Sequence, residues 1–208
     1  MTKSWTKRLL VVALVAAALG GAAFALMVAK DRTYVPSEPY SPRGAPNRDV
    51  AVVYYSRSGH SEAVAREVAR SFNAPTARID ADYPRDFSGQ GKALSHAKAE
   101  ALPPIRVDPI DITPARRVFL VAPTWLFRPA TPLWAYVEQA DLTGKEVVLI
   151  TTGNSRFEQA KIDAFAKRVE GHGGRLIRHI FLRRGRILWQ ESREELIESV
   201  RTELRELR

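Results

Sequence analysis

The sequence contains no cysteine, and this absence excludes several classes of function. Disulfides, thiolate metal sites, iron–sulfur clusters and cysteine nucleophiles are all removed, and with them the CxxxxxR type of phosphatase. The chain has only four histidines, and they do not follow the spacing of a metal site. Three of them, His96, His172 and His179, are scattered along the chain and are predicted to lie on the surface.

Two common phosphate-binding motifs are also missing. The chain has neither the GxGxxG fingerprint of dinucleotide sites nor the GxxxxGK[ST] sequence of P-loops.

Charge is unbalanced, with a net charge of +9 over 208 residues. Residues 1–48 hold seven Lys or Arg and two Asp or Glu, whereas residues 49–208 hold 25 and 21. The mild excess in the second part weakly favours an anionic ligand or a lipid surface, and it does not indicate nucleic acid.

One apolar run dominates the amino-terminal region. Leu9–Ala29 has 21 residues without a charge and follows the basic segment Met1–Arg8. A helix needs about 20 apolar residues to cross a bilayer. We therefore predict a signal anchor. The alternatives are a cleaved signal peptide, with a cleavage site at Ala23-Phe24-Ala25, and a buried globular helix.

The charges that flank this run predict an orientation. Lys3, Lys7 and Arg8 precede it, which favours an amino terminus in the cytoplasm and a domain on the extracytoplasmic side. The opposite orientation stays open because Lys30 and Arg32 follow the run.

A proline-rich stretch separates this segment from the rest. Tyr34–Arg48 contains four prolines with serine and glycine between them, which predicts a semi-extended spacer. The chain therefore divides into a membrane or signal segment over residues 1–31, a linker over 32–48 and one domain over 49–208.

The start of the domain has the pattern of a phosphate site. Val50–Tyr55 reads as a strand buried on both faces, and Val64, Val68 and Phe72 then recur at helical spacing. The connection between them, residues 56–61, is rich in hydroxyls and contains one glycine. The first amides of the helix lack intrahelical partners and carry partial positive charge, so they would face an anion in this loop.

This loop resembles the FMN-phosphate loop of the flavodoxin-like family, whose usual form is Ser/Thr-x-Thr-Gly-x-Thr after a first strand. YYSRSGHSEAVA is similar to the YSRTGNT-type opening of the short-chain members, with serine for threonine at Ser58 and Ser61 and His60 for the usual asparagine. The alternative is an ordinary strand-turn-helix with a serine cap. The resemblance implies an FMN cofactor held by Ser56, Arg57, Ser58, Gly59, His60 and Ser61.

The next segments resemble the same family. Thr76–Asp80 is predicted as the second strand, and the Tyr83-Pro84 pair that follows it is common there. Tyr83 is predicted to pack rather than to bind flavin. The helical stretch Ala93–Ala101 fits the family's excursion before the third strand, Arg117–Ala122.

The third strand runs into Pro-x-Trp and a second proline, which resembles the family's GxPxW loop beside the flavin ring, with Ala122 where glycine is frequent. An aromatic side chain at the carboxyl end of a strand can stack on a planar ring. Trp125 is the first candidate and Phe127 the second, and core packing is the alternative for both. Trp134, in the next helix, is predicted to be core. The flavin contacts implied here are Pro123, Thr124, Trp125, Leu126 and Phe127.

A DLxGK sequence precedes the fourth strand, Glu146–Thr151, and is a further resemblance. The polar loop after that strand is predicted to face the polar edge of the flavin, although a helix cap is the alternative for Asn154, Ser155 and Arg156. The residues implied here are Thr152, Gly153, Asn154 and Phe157.

The last third of the chain completes the pattern. A helix over Phe157–Glu170 leads to a fifth strand, Leu176–Leu182. The basic run 183–186 reads as a solvated loop, or as a contact with anionic lipid. A capping box at Ser192 opens the last helix.

Five strands alternating with helices predict an α/β domain with a five-stranded parallel sheet. The resemblance covers about residues 49–182 and implies the order 2-1-3-4-5, with FMN at the switch point. Together with the predicted anchor, it implies a membrane-tethered redox protein, either an electron carrier or an NAD(P)H- or quinone-linked reductase, whose partner is a redox protein or a quinone. The alternative is an interaction module at the membrane that has this fold and no flavin.

Overall fold

The computed structural model describes residues 2–186 and 189–207. The helices are α1 (Thr2–Arg32), α2 (His60–Phe72), α3 (Phe87–Ala99), α4 (Thr131–Gln139), α5 (Gln159–Gly171) and α6 (Arg193–Leu204), and a 3-10 turn follows at Arg205–Leu207. The strands are β1 (Val50–Tyr55), β2 (Thr76–Asp80), β3 (Arg106–Val107), β4 (Arg117–Trp125), β5 (Arg128–Pro129), β6 (Glu146–Gly153), β7 (Arg175–Arg183), β8 (Gly185–Arg186) and β9 (Trp189–Gln190).

The main sheet has the order β3-β2-β1-β4-β6-β7, with β5 paired to β4. Its five long strands are parallel and follow the predicted order 2-1-3-4-5. The predicted number of strands was wrong, because the sheet has seven. β3 pairs antiparallel with the edge strand β2, and β5 pairs antiparallel with the end of β4. Each of these two strands has only two residues, too few to produce a periodic sequence signal.

Helices cover both faces of this sheet. The side chains of Val52 and Tyr54 point to the face covered by α2 and α6, and those of Val53 and Tyr55 point to the face covered by α3, α4 and α5. All six residues of β1 are buried, as predicted for a central strand of a parallel sheet. Trp134 lies in the second of these cores with Phe165, which confirms its predicted core position.

The helix boundaries follow local capping. The predicted capping box of α6 is confirmed, because the Ser192 side chain accepts from the amide of Glu195 and the Glu195 side chain accepts from the amide of Ser192. α3 begins six residues earlier than predicted. Asp86 caps it by accepting from the Gly89 amide at 2.8 Å. Asn73 ends α2 in a left-handed conformation with a φ of 51°.

The spacer lies against the domain. Residues 33–48 form no helix or strand, yet the Val35 amide donates to the Ser58 carbonyl oxygen at 3.0 Å, and the Asn47 amide donates to the Asn73 carbonyl oxygen at 2.8 Å. We call Tyr34–Glu38 the strap, because it crosses the start of α2.

α1 precedes the strap and is apolar over most of its length. Its stretch Trp5–Leu26 has 22 residues, a mean hydropathy of 2.6 and no buried part, so by length and composition it could cross a membrane. Near its end, the ring of Phe24 lies 5.9 Å from the ring of Phe87 at the start of α3.

Candidate functional site

Three loops meet at the carboxyl ends of β1, β4 and β6 and border a cavity of about 260 Å³. In a doubly wound sheet this edge is where ligands bind, at the point where the strand order reverses. Eleven of the fifteen predicted site residues line the cavity. The lining residues are Arg57, Ser58, Ser61, Gln90, Leu94, Pro123, Thr124, Trp125, Leu126, Phe127, Thr152, Gly153, Asn154, Ser155, Arg156, Arg184 and Gln190.

Ser56 and Gly59 are not in that lining and instead shape the first loop. The Ser56 hydroxyl accepts from the Gly59 amide at 3.1 Å, which closes the turn. Gly59 has a φ of 94°, a conformation that favours glycine. A Cβ at this position would lie 2.1 Å from the carbonyl oxygen of Val35 in the strap. The loop therefore requires glycine both for its own turn and for the passage of the strap.

His60 is the first residue of α2 and is buried beneath the loop. Its Nδ1 lies 3.3 Å from the hydroxyl oxygen of Ser58. Burial lowers the pKa of His60 to about 4, and the charges of Arg184 and Arg193 act in the same direction. The imidazole is therefore neutral at pH 7, where it holds the Ser58 hydroxyl without adding charge to the site.

The amino terminus of α2 is suited to an anion. Its cap residue, Gly59, makes no side-chain hydrogen bond to the first turn. The first amides of a helix have no intrahelical acceptor and carry partial positive charge. The hydroxyls of Ser58 and Ser61 line the cavity beside them. The Ser61 hydroxyl also lies 2.8 Å from that of Thr152, which joins the first loop to the third.

The second loop is a tight turn with unusual residues. Leu126 and Phe127 have φ values of 47° and 65° and connect β4 to β5. Two left-handed central residues are typical of a type I′ hairpin turn, in which Asn-Gly is preferred. Leucine and phenylalanine are strained in this conformation, and such strain concentrates at functional sites. The turn leaves Leu126 44% exposed at the rim of the cavity.

Trp125 lies deeper than its neighbours in the same loop. Only 9% of the residue is exposed. Its indole makes edge contacts with the rings of Tyr55 and Tyr83, at centroid distances of 5.6 and 4.8 Å. Trp125 therefore packs in the core, which is the alternative considered from the sequence, and it also forms part of the cavity wall. Tyr83 packs, as predicted.

The third loop approaches the second closely at one glycine. A Cβ on Gly153 would lie 2.3 Å from the hydroxyl of Thr124 and 2.8 Å from the ring of Phe181. Beyond it, the guanidinium of Arg156 lies 4.7 Å from the ring centroid of Phe127, at cation–π distance. This contact connects the third loop to the strained turn.

The charge of the lining is positive. Arg57, Arg156 and Arg184 contribute to it, and no Asp or Glu does so within the described ranges 2–186 and 189–207. Arg57 is buried, and its guanidinium donates to the carbonyl oxygens of Tyr83 and Pro84 at 3.3 and 2.5 Å. These arginines favour an anionic ligand.

Six lining residues are absent from the predicted set: Ser155 and Arg156, which directly follow the predicted Asn154, and Gln90, Leu94, Arg184 and Gln190. Gln90 and Leu94 are one turn apart on α3 and face the cavity. Gln90 was missed because α3 begins earlier than predicted. Arg184 and Gln190 are joined by a hydrogen bond of 3.0 Å across the β8-β9 hairpin. The prediction of a solvated loop for 183–186 was therefore wrong for Arg184, which lines the cavity, although Arg183 is exposed.

The structure places His179 and Phe157 differently from their predictions. His179 is half-buried rather than on the surface, with Nε2 2.8 Å from the hydroxyl of Thr151, and burial lowers its pKa to about 4. Phe157 lies outside the cavity lining and packs against the rings of His179 and Phe181. Among the described residues, no group of three or more His, Asp or Glu could hold a metal ion.

Comparison with known proteins relates this chain to others through its fold. No family model and no curated protein matches it. A flavoprotein of Lactobacillus acidophilus NCFM, solved in complex with FMN, superposes with a TM-score of 0.56 at 20% identity, over 64% of this chain and 92% of its own. A candidate flavoprotein from Bacteroides eggerthii superposes with a TM-score of 0.58 at 17% identity, over 76% of this chain and 96% of its own. At such low identity these likenesses show a common α/β fold.

Proposed function

We propose that this chain is an FMN-binding, flavodoxin-like redox protein tethered to a membrane by α1. The observation that carries the proposal is the convergence of the three loops after β1, β4 and β6 on one arginine-lined cavity at the switch point. The likeness to a flavoprotein solved with FMN supports it. The cavity volume is slightly below the ~300 Å³ at which closed ligand pockets usually begin, which is compatible with a groove that leaves part of its ligand in solvent.

The first loop fits the phosphate of FMN. An uncapped helix amino terminus and the hydroxyls of Ser58 and Ser61 supply donors, and no lining carboxylate in the described part of the chain opposes the charge. His60 would hold the Ser58 hydroxyl in place while remaining neutral at pH 7.

The second and third loops fit the ring. Leu126 and Phe127 offer apolar surface at the rim, and Trp125 forms the wall behind them. Because most of Trp125 is already covered, we expect Leu126 and Phe127 to supply the larger part of the ring contact. Thr152, Gly153 and Asn154 would face the polar edge of the ring.

When bound, FMN would supply reversible electron transfer, and the side chains of this protein would bind and orient it and limit its exposure to water. The proposed role is that of an electron carrier or of an NAD(P)H- or quinone-linked reductase. A redox protein or a quinone would be the partner.

α1 supports the membrane part of the proposal. Its 22-residue apolar stretch is about 33 Å long as a helix, which matches a hydrocarbon core of about 30 Å. We propose an uncleaved single-pass anchor, with the domain on the extracytoplasmic side. Full-length protein should then remain with membranes through a carbonate wash. Recovery in the soluble fraction would remove the anchor from the proposal, and amino-terminal sequencing would detect cleavage.

The visible spectrum of full-length protein in detergent tests the cofactor. We expect a yellow protein, or a colourless one that takes up FMN in preference to FAD. A protein that ignores FMN at high micromolar concentration would leave the flavin-free interaction module as the better description.

A further inference from the structure

The strap holds the first loop of the cavity close to the end of α1. The Val35 amide donates to the Ser58 carbonyl oxygen, and Val35 is only three residues beyond Arg32, the last residue of α1. Three residues span at most about 11 Å. The Ser58 carbonyl oxygen in the first loop therefore lies no farther from the end of α1 than about 11 Å plus the length of one hydrogen bond.

Side chains secure the strap at several points, so this distance is not set by one bond. The Tyr34 hydroxyl donates to the buried carboxylate of Glu62 in the first turn of α2. The Arg66 guanidinium donates to the carbonyl oxygen of Ser37 at 2.6 Å. The Arg193 guanidinium, at the start of α6, reaches the carbonyl oxygen of Pro36.

α1 also touches the domain at the cavity side. Phe24, whose ring lies 5.9 Å from that of Phe87, is two residues from the end of the apolar stretch Trp5–Leu26. At 1.5 Å per residue, this is about 3 Å inside the end of that stretch. If the stretch fills the hydrocarbon core, the ring of Phe87 lies at the boundary between hydrocarbon and headgroups.

The face of α3 that begins at Phe87 continues to the cavity. Phe87, Gln90 and Leu94 follow the i, i+3, i+7 spacing of one helix face, and the last two line the cavity. Phe87 and Leu126 are 48% and 44% exposed, which is unusual for large apolar side chains of the domain. The exposed Arg156 also lines the cavity and carries a charge that suits anionic headgroups.

We infer that the headgroup region of the bilayer is the partner of this surface, so that the cavity mouth faces the membrane and not the bulk solvent. The inference rests on the membrane anchor of the proposed function and adds an orientation to it. A ligand that reaches the mouth would travel along the lipid surface. Of the partners proposed above, a lipid-soluble quinone meets that condition more readily than a soluble protein.

The absence of cysteine makes this orientation measurable, because one introduced cysteine can be labelled uniquely in the full chain. Gly91 lies one turn from Phe87 on α3, is exposed, and has open space where a Cβ would be added. Gly171, at the end of α5, has the same properties and lies at the amino-terminal edge of the sheet, because the crossover helices run antiparallel to the strands. Gly91→Cys and Gly171→Cys thus form a matched pair outside the cavity lining.

Each variant would carry an environment-sensitive fluorophore and be reconstituted in phosphatidylcholine–phosphatidylglycerol vesicles that contain a doxyl-labelled lipid. We expect the label at position 91 to be quenched at least twofold more than the label at 171. Adding Tyr34→Phe, Arg66→Gln and Arg193→Gln, which removes the side-chain contacts that secure the strap, should reduce the quenching at 91 while the protein still sediments with the vesicles.

Equal quenching at the two positions, with the protein in the vesicle pellet, would overturn the orientation and leave the anchor standing. Quenching at 91 that is unchanged when these side-chain contacts are removed would overturn the role given to them in holding the strap. Failure to sediment with vesicles would remove the anchor, and this inference with it. None of these readouts depends on flavin, so the cofactor proposal is tested separately by the visible spectrum.

Discussion

The hydroxyl oxygens of Ser61 and Thr152 lie 2.8 Å apart, although 91 residues separate them in the chain. This hydrogen bond joins the first turn of α2 to the end of β6, and thereby the proposed phosphate end of the cavity to the loop expected at the polar edge of the ring. Either oxygen could be the donor. A ligand that accepts a hydrogen bond from Ser61 would therefore fix the direction of the bond to Thr152 as well.

Removing the hydroxyls of the first loop should weaken FMN more than riboflavin, because only FMN carries the phosphate. In the double variant Ser58→Ala, Ser61→Ala, we expect FMN affinity to fall about 100- to 10,000-fold, since two hydrogen bonds to a charged group are lost and each contributes about 1.5–3 kcal/mol. Riboflavin affinity should change little. Fluorescence titration of both ligands measures the difference, and equal losses would place the phosphate elsewhere.

The close passage of the strap over Gly59 leads to a second prediction. In Gly59→Ala, the new Cβ would meet the carbonyl oxygen of Val35 and would also suffer the strain of a φ of 94°. Gly144→Ala is the matched control, because its φ is 70° and nothing lies within 4 Å of the added carbon. We expect Gly144→Ala to destabilise the protein by about 1–2 kcal/mol through left-handed strain, and Gly59→Ala to destabilise it by more because of the added clash.

Only Gly59→Ala should also free the strap, making residues 34–38 sensitive to limited proteolysis. Urea unfolding measures the free energy, and the fragment pattern locates the cleavage. A strap that stays protected in Gly59→Ala would show that the backbone absorbs the clash.

Several features of the site could be predicted from the sequence because they depend on local pattern. The strand Val50–Tyr55 and the hydroxyl loop after it follow from a hydrophobic run and turn residues. The order of the parallel strands was instead implied by the resemblance to the flavodoxin-like family, and the sheet has that order. Arg184 could not be predicted in this way. It lines the cavity because its amide donates to the Gly153 carbonyl oxygen and because a short hairpin folds Gln190 back to it.

The packing of single side chains was also beyond the sequence. Trp125 could be assigned to the correct loop, but its burial depends on where Tyr55 and Tyr83 converge in three dimensions. His179 read as one isolated polar residue, since its partner Thr151 lies on the neighbouring strand, 28 residues earlier in the chain. Contacts between segments that are distant in the chain do not produce a periodic pattern in the sequence.

The two histidines with lowered pKa values should make stability depend on pH. His60 and His179 have folded pKa values of about 4, below the ordinary value of 6.5. Between these values the unfolded chain binds more protons than the folded protein, so the free energy of unfolding should fall as pH decreases through 6.5 toward 4. Each histidine contributes a slope of at most about 1.4 kcal/mol per pH unit.

Urea unfolding between pH 5 and 7 isolates this effect from most carboxyl groups. His60→Asn, which restores the residue expected in this loop, should remove about half of the slope. A slope that is the same in the wild type and in the variant would show that His60 titrates normally in the folded protein.

Relieving the strain in the Leu126-Phe127 turn should raise the stability of the protein and weaken ligand binding. Replacing Leu126-Phe127 by Asn-Gly would supply the residues that a type I′ turn prefers and relieve two left-handed conformations, each costing about 1–2 kcal/mol in an ordinary residue. Some of this gain would be offset by loss of the contact between Phe127 and Arg156. We expect the variant to be more stable by about 1–2 kcal/mol in urea unfolding. We also expect it to bind FMN about tenfold more weakly, because the apolar rim of the cavity is lost.

Trp134→Ala is the contrasting control: its indole lies in the core, so it should lower stability by about 3–5 kcal/mol and leave FMN affinity unchanged while the protein remains folded. If the Asn-Gly variant binds FMN as tightly as the wild type, the ring does not lie against this turn, and the buried Trp125 would have to move to receive it.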